Sequence, residues 1–148
     1  MRILVSACLI GLCTRYDGGH SQNENVLALA KRHILVPVCP EQLGGLPTPR
    51  PPCEIRMGKV MSSDGRDRTT MFESGAQQAL FVYKVAGCQA AILKARSPSC
   101  GKGPVYDGSF TGRLIDGQGV FAKMLNEMSI PVYDEEEKDK WEKLLADS

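Results

Sequence analysis

Residues 2–19 read RILVSACLIGLCTRYDGG, and the break inside this stretch decides the fold. Arg2 to Ala7 is a compact β-type run, too short for a buried helix of about 10–12 residues. Gly11, Gly18 and Gly19 then interrupt it. The same motif returns three times. Ile34 to Val38 (ILVPV) and Ala90 to Ala95 (AAILKA) are predicted as the second and third strands, and Ile130 to Tyr133 (IPVY) as the fourth. Helical spacing fills the intervals. One helix starts at a Ser21 or Asn23 cap and ends near His33. A long amphipathic helix covers Thr69 to Ala86 and stops at Gly87. Another covers Gln118 to Met128. A charged terminal helix runs to Ala146 from an Asp134 N-cap, with Glu135, Glu136 and Glu137 in its first turn. Short apolar strands alternating with helices imply parallel pairing and a three-layer α/β fold with a mainly parallel sheet. No repeat, low-complexity tract or linker divides the chain, so one domain over residues 1–148 is expected.

The composition agrees. A chain of 148 residues suits one domain, for which about 100–200 is usual. With 43% hydrophobic residues it can bury a core without disulfides. A net charge of +1 excludes a nucleic-acid binder whose whole surface is cationic. No apolar run approaches the roughly 18–20 residues of a membrane span. The apolar N-terminus runs straight into TRYDGGH without an A-x-A-like cleavage site, so it reads as a first strand and not a signal peptide. A cytoplasmic protein is expected, where cysteines are more often free, catalytic or metal-bound than paired.

Six cysteines exceed what packing requires. Ligands of an open parallel sheet bind beyond the carboxyl ends of the strands. Cys8 follows strand one, Cys39 follows strand two, and Cys100 lies five residues past strand three, in a Ser-Pro-Ser-Cys-Gly loop. Parallel strands bring these three thiols to one sheet edge. Cys13 stands near enough to Cys8 to share the crevice. Cys88 precedes its strand, at the opposite edge. Cys53 lies deep in the stretch 39–55 (CPEQLGGLPTPRPPCEI), which holds five of the nine prolines and cannot be a regular helix or a central strand. Cys53 and Cys88 read as packing residues. Zinc would call for C-x-x-C pairs, and there are none. Three convergent thiolates instead suit an iron–sulfur cluster with one iron left open. The plainer explanation, cysteine as a small buried hydrophobe, serves any one of the three better than all of them together.

Glu41 follows Cys39 in Cys-Pro-Glu, where proline restrains the backbone. In an apolar crevice it suits a general acid or base; otherwise it is an exposed loop acid. Ser97 and Ser99 flank Pro98 and can donate to a ligand or cap a turn. Arg15, Tyr16 and Asp17 form a polar cluster. Asp17 can bind a ring N–H or a sugar hydroxyl, or simply hold Arg15. Arg50, between prolines, is a rigidly placed cation. Arg96, Lys102 and Arg113 suit phosphate recognition or scattered surface charge. Residues 55–67 suit a short hairpin or flap.

The segments VSACLIGLCTRYDGG, CPEQLGGLPTPRPP and ARSPSCGKG, in this order, resemble the thiouracil desulfidase family, formerly domain of unknown function 523. The likeness covers nearly the whole chain. It implies a Rossmann-like α/β domain carrying a [4Fe–4S] cluster on three cysteines. The open iron takes the sulfur of a thiolated pyrimidine (2- or 4-thiouracil or thiouridine), and water replaces it without net redox change. The resemblance implies Cys8 and Cys100 as ligands, from the SAC and SPSC motifs, with Glu41 and Ser97 assisting catalysis. Family members tend to carry another cysteine in the glycine-rich part of the CPE loop, where this chain has Gly44-Gly45-Leu46. The third ligand is then Cys39, Cys13 or Cys53; the strand-end position favours Cys39, with Cys13 its main competitor. Arg15, Asp17 and Ser99 are expected to contact substrate. A free thiopyrimidine or thionucleoside is expected in preference to tRNA, on which related longer proteins act.

Two rival readings come from other classes. Cys8 and Arg15 resemble a tyrosine-phosphatase loop, but C-x6-R is one residue longer than the C-x5-R which converges on a phosphate. Alternatively the domain binds a nucleotide or thiolated RNA without catalysis, its cluster structural or redox-sensing.

Overall fold

The computed structural model describes residues 1–146. Strand β1 (Arg2–Ser6) runs into a 3₁₀ turn at Ala7–Ile10. Asn23 caps helix α1 (Glu24–Leu27), which tightens into a 3₁₀ turn at Ala28–Lys31. Strand β2 (Ile34–Val38) leads into the single-turn helix α2 (Pro40–Leu43). A hairpin of β3 (Cys53–Arg56) and β4 (Lys59–Ser62) precedes the long helix α3 (Thr69–Val85). Then come β5 (Ala90–Leu93), a two-residue hairpin of β6 (Val105–Tyr106) and β7 (Leu114–Ile115), α4 (Val120–Glu127), β8 (Val132–Asp134) and α5 (Lys138–Ala146).

Four strands form one parallel sheet in the order β2-β1-β5-β8. Alternate side chains feed two cores. Leu4, Ala91 and Leu93 pack with Ala76 and Ala79 of α3 and Phe121 and Leu125 of α4. Ile3, Val5 and Ile92 pack on the other face with Val26, Trp141 and Leu145. Trp141 and Phe121 are both fully buried. Burying a large apolar side chain is worth roughly 1.5–3 kcal/mol, so each helical layer is firmly held to the sheet. The fold is the expected three-layer α/β sandwich. β1 has β2 on one side and β5 on the other, so the chain reverses its winding direction there. A crevice opens at such a switch point, beyond the carboxyl ends of the strands.

Several local expectations change. The terminal helix starts at Lys138, and Asp134 ends β8 rather than capping a helix. Pairing of β8 with β5 holds Asp134 extended opposite Leu93. The three glutamates after it are taken by cations of the β5–β6 connection: Glu135 by Lys94 (3.0 Å), Glu136 by Arg96 (3.0 Å) and Glu137 by Lys102 (2.7 Å). Arg113 likewise lies beside Asp107, so Arg96, Lys102 and Arg113 each have an acidic neighbour. The proline-rich stretch does contain one helical turn, since Pro40 occupies its first position, where a missing N–H costs nothing. Lys94 falls outside β5 because its N–H donates to the Ser6 hydroxyl at 2.8 Å. Among the described residues no helix is long and apolar enough to cross a membrane.

Candidate functional site

A cavity of about 570 Å³ opens at the carboxyl edge of β1, β2 and β5. Its lining includes Cys8, Cys39 and Cys100, each delivered by a different strand end. Cys8 sits in the 3₁₀ turn after β1. That turn closes on Gly11 at φ +101°, a left-handed backbone that glycine adopts without strain. Cys39 occupies the residue just before α2, and its thiol donates to the Thr14 carbonyl at 3.7 Å.

Cys100 is set by a tight turn over 97–101. The Ser97 hydroxyl accepts from the N–H groups of Cys100 (3.0 Å) and Ser99 (3.2 Å), and the Gly101 N–H returns to the Ser97 carbonyl. The first turn of α4 docks on this loop backbone. The N–H groups of Val120 and Phe121 donate to the carbonyls of Pro98 (2.9 Å) and Ser99 (2.8 Å). These bonds use helix-terminal donors that would otherwise go unpaired. The approach needs glycine: a Cβ on Gly119 would lie 2.6 Å from the Ser99 carbonyl carbon.

All three cysteines are free thiols. Burial pushes the Cys8 thiol up to about 11 and Cys100 up to about 12, and raises Cys39 as well. Charge on Cys39 raises both of the others, so the three sulfurs share one electrostatic environment. Among the described residues no three His, Cys, Asp or Glu side chains are grouped to hold a single metal ion. A soft, all-sulfur donor set spread over one pocket wall fits a polynuclear iron–sulfur cluster better than one zinc ion.

A carboxylate stands beside these thiols. Glu41 Oε1 accepts from Arg50 Nε at 3.1 Å, and Oε2 accepts from the Ser99 hydroxyl at 2.8 Å. Ser99 in turn lies 3.0 Å from the Ser97 hydroxyl and 3.7 Å from Cys100 Sγ. Arg50 is only 7% exposed. Its other N–H groups reach the Thr14 (2.9 Å) and Pro47 (3.2 Å) carbonyls, the Thr48 hydroxyl (2.9 Å) and Cys39 Sγ (3.9 Å), so the guanidinium is fully paired and rigidly placed against Glu41. Helix α2, which carries Glu41, lies directly on α3. A Cβ at Gly75 of α3 would collide with the Pro40 carbonyl oxygen.

The structure therefore gathers Cys8, Cys39, Cys100, Glu41, Ser97, Ser99 and Arg15 around one cavity. Two expected residues lie outside its lining. Cys13 is exposed on the loop beyond the 3₁₀ turn. Asp17 accepts from the Gly19 N–H at 2.9 Å and lies 3.4 Å from Arg15 Nε, so it shapes its own loop. Cys88 packs against the α3–α4 core, at the far edge of the sheet. Cys53, read as a packing residue, begins β3 and lines the cavity as well as its local core. The role of Arg50 in holding Glu41 was not anticipated. Its only sequence signal is a cation fixed between prolines. Nor was the presence of Glu54, Tyr106 and Phe110 in the cavity lining.

Known proteins resemble this chain over most of its length. The family model described as 2-thiouracil desulfurase matches residues 3–137. The chain is 40% identical to Uncharacterized protein YbbK of Bacillus subtilis (strain 168), over 91% of this chain and 96% of that one. It is also similar to the solved structure of TudS, a [4Fe–4S]-dependent thiouracil desulfidase. The TM-score is 0.90 and the identity 38%, with 99% of each chain covered.

Proposed function

The chain belongs to the 2-thiouracil desulfurase family, and from that premise we propose that it is a [4Fe–4S]-dependent desulfidase converting a thiolated pyrimidine and water into the oxo-pyrimidine and hydrogen sulfide. One observation carries the assignment to this cavity: three strand-end thiols share its wall with a carboxylate fixed on both oxygens.

Cys8, Cys39 and Cys100 would hold the cluster. When bound, the cluster would supply a thiophilic Lewis acid for the substrate's sulfur. The protein's own groups handle position and protons. Arg50 holds Glu41 Oε1 and Ser99 holds Oε2, so the carboxylate is fixed in place with a remaining lone pair to accept a proton from the attacking water. Ser97 acts by shaping the turn that presents Ser99 and Cys100, a positioning role. No electron leaves or enters: a C=S bond is replaced by C=O, and the protons of water leave with sulfide.

The pocket favours a neutral free base or nucleoside over tRNA. Its volume suits a small ligand. Each of its cations is already engaged: Arg15 by Ser21 and Asp17, Arg50 by Glu41, Lys94 by Glu135, Arg96 by Glu136. One domain spanning the chain suffices for the reaction. The free thiols suit a reducing compartment such as the cytoplasm.

Anaerobic reconstitution with iron and sulfide tests the reading. Loaded protein should release one sulfide for each 2- or 4-thiouracil consumed and form uracil. Cluster-loaded protein that consumes no thiopyrimidine would overturn the enzymatic assignment. A chain that takes up no iron would overturn the cluster with it.

A further inference from the structure

The cavity has a second wall, which the parallel sheet does not supply. It comes from two hairpins: β3–β4 contributes Cys53 and Glu54, and β6–β7 with its connecting loop contributes Tyr106, Phe110 and Gly112. Glu54 fastens one hairpin to the other. Its Oε1 accepts from the backbone N–H groups of Gly108 (3.0 Å) and Phe110 (3.1 Å). Gly108 has φ +92°, and a Cβ there would strike the Arg56 side chain. Phe110 has φ +58°, a left-handed conformation that is strained for a bulky residue. The residue belongs to none of the three core clusters and is 39% exposed. Packing therefore does not account for the ring. A carboxylate clamps the strained backbone that carries this aromatic residue into the lining of the pocket.

We propose that Phe110 is a specificity-determining residue, stacking on the flat face of the pyrimidine ring, and that Glu54 is its positioning residue. This rests on the thiopyrimidine reading above. A planar neutral heterocycle offers a π-face but little charge, and an aromatic ring recognises that face whatever the position of the sulfur.

The experiment uses cluster-loaded enzyme, with uracil and its puckered analogue 5,6-dihydrouracil as competitive inhibitors. Phe110→Ala should raise the KM for thiouracil and the inhibition constant of uracil by about ten- to hundredfold, with iron content unchanged. Phe110→Trp should restore both, and Phe110→Leu should not. Wild type should prefer uracil to dihydrouracil, and Phe110→Ala should lose that preference. Glu54→Ala should raise KM more than it lowers kcat, with partial rescue in Glu54→Gln, which keeps an acceptor oxygen. Unchanged KM and inhibition constant in Phe110→Ala overturn the proposal, and so does full rescue by leucine. Either result leaves desulfuration standing. Wild-type protein that releases no sulfide but, by equilibrium titration, binds uracil in a Phe110-dependent way would instead overturn the function while supporting the stacking wall.

Discussion

Arg50 Nε lies 3.1 Å from Glu41 Oε1, and their side chains are only 3% and 12% exposed. The two residues are nine positions apart, in a loop stiffened by four prolines between residues 47 and 52. Removing one partner of a withdrawn ion pair leaves the other charge desolvated, which is worse than removing both.

Arg50→Ala should therefore lower stability by about 3 kcal/mol, or roughly 6–12 °C in Tm. Arg50→Lys should keep more of that stability but still lose most activity, because an ammonium cannot reproduce the fork that reaches Glu41, Thr48 and Thr14 together. Thermal melts and sulfide-release assays on the two variants, alongside Glu41→Gln, measure this.

The third cluster ligand separates by substitution. Cys39→Ser should cut bound iron and labile sulfide as severely as Cys8→Ser or Cys100→Ser. Cys13→Ser should leave both near wild type, since that thiol faces outward. Iron and sulfide analysis after anaerobic reconstitution decides it. The opposite pattern would transfer the role to Cys13.

The sequence made the larger features legible because they rest on local signals. Short apolar runs broken by glycine mark the parallel strands, and the strand-end rule puts Cys8, Cys39 and Cys100 at one edge. What escaped depended on contacts distant along the chain. Asp134 is a good N-cap by propensity, yet β8 pairing and three ion pairs with the β5–β6 connection override it. Val105–Tyr106 and Leu114–Ile115 are too short for any periodicity to mark. Nothing in Pro-Arg-Pro says that its guanidinium points inward at Glu41.

Gly75→Ala should be costly although alanine is the better helix former. The methyl group would strike the Pro40 carbonyl and push α2 off α3. A loss of about 1–3 kcal/mol is expected, as for overpacking. The kcat and the bound iron should both fall, because Glu41 and the neighbouring Cys39 move with Pro40. Urea denaturation, iron analysis and steady-state kinetics test these parts.

Glu137 gives a pH-dependent contribution. Burial raises its carboxyl, but the ammonium groups of Lys102 and Lys140 outweigh this and hold it below the usual range. A depressed folded-state pKa means the stabilisation is complete above the unfolded value of 4.5 and is lost as pH falls through the folded value. Glu137→Gln should cost about 1 kcal/mol at pH 7 and progressively less in acid. Urea titrations of both proteins at pH 7, 5 and 3.5 should converge towards the acid end.

Neither hairpin that walls the cavity belongs to the parallel sheet. The cysteines, Glu41 and the serine turn are anchored to the parallel sheet and its helices, while the rim is built on two separate hairpins linked through Glu54. Reactivity and selectivity can therefore evolve separately. An altered rim would redirect the enzyme to a different sulfur-bearing ring while the chemistry beneath it is inherited intact.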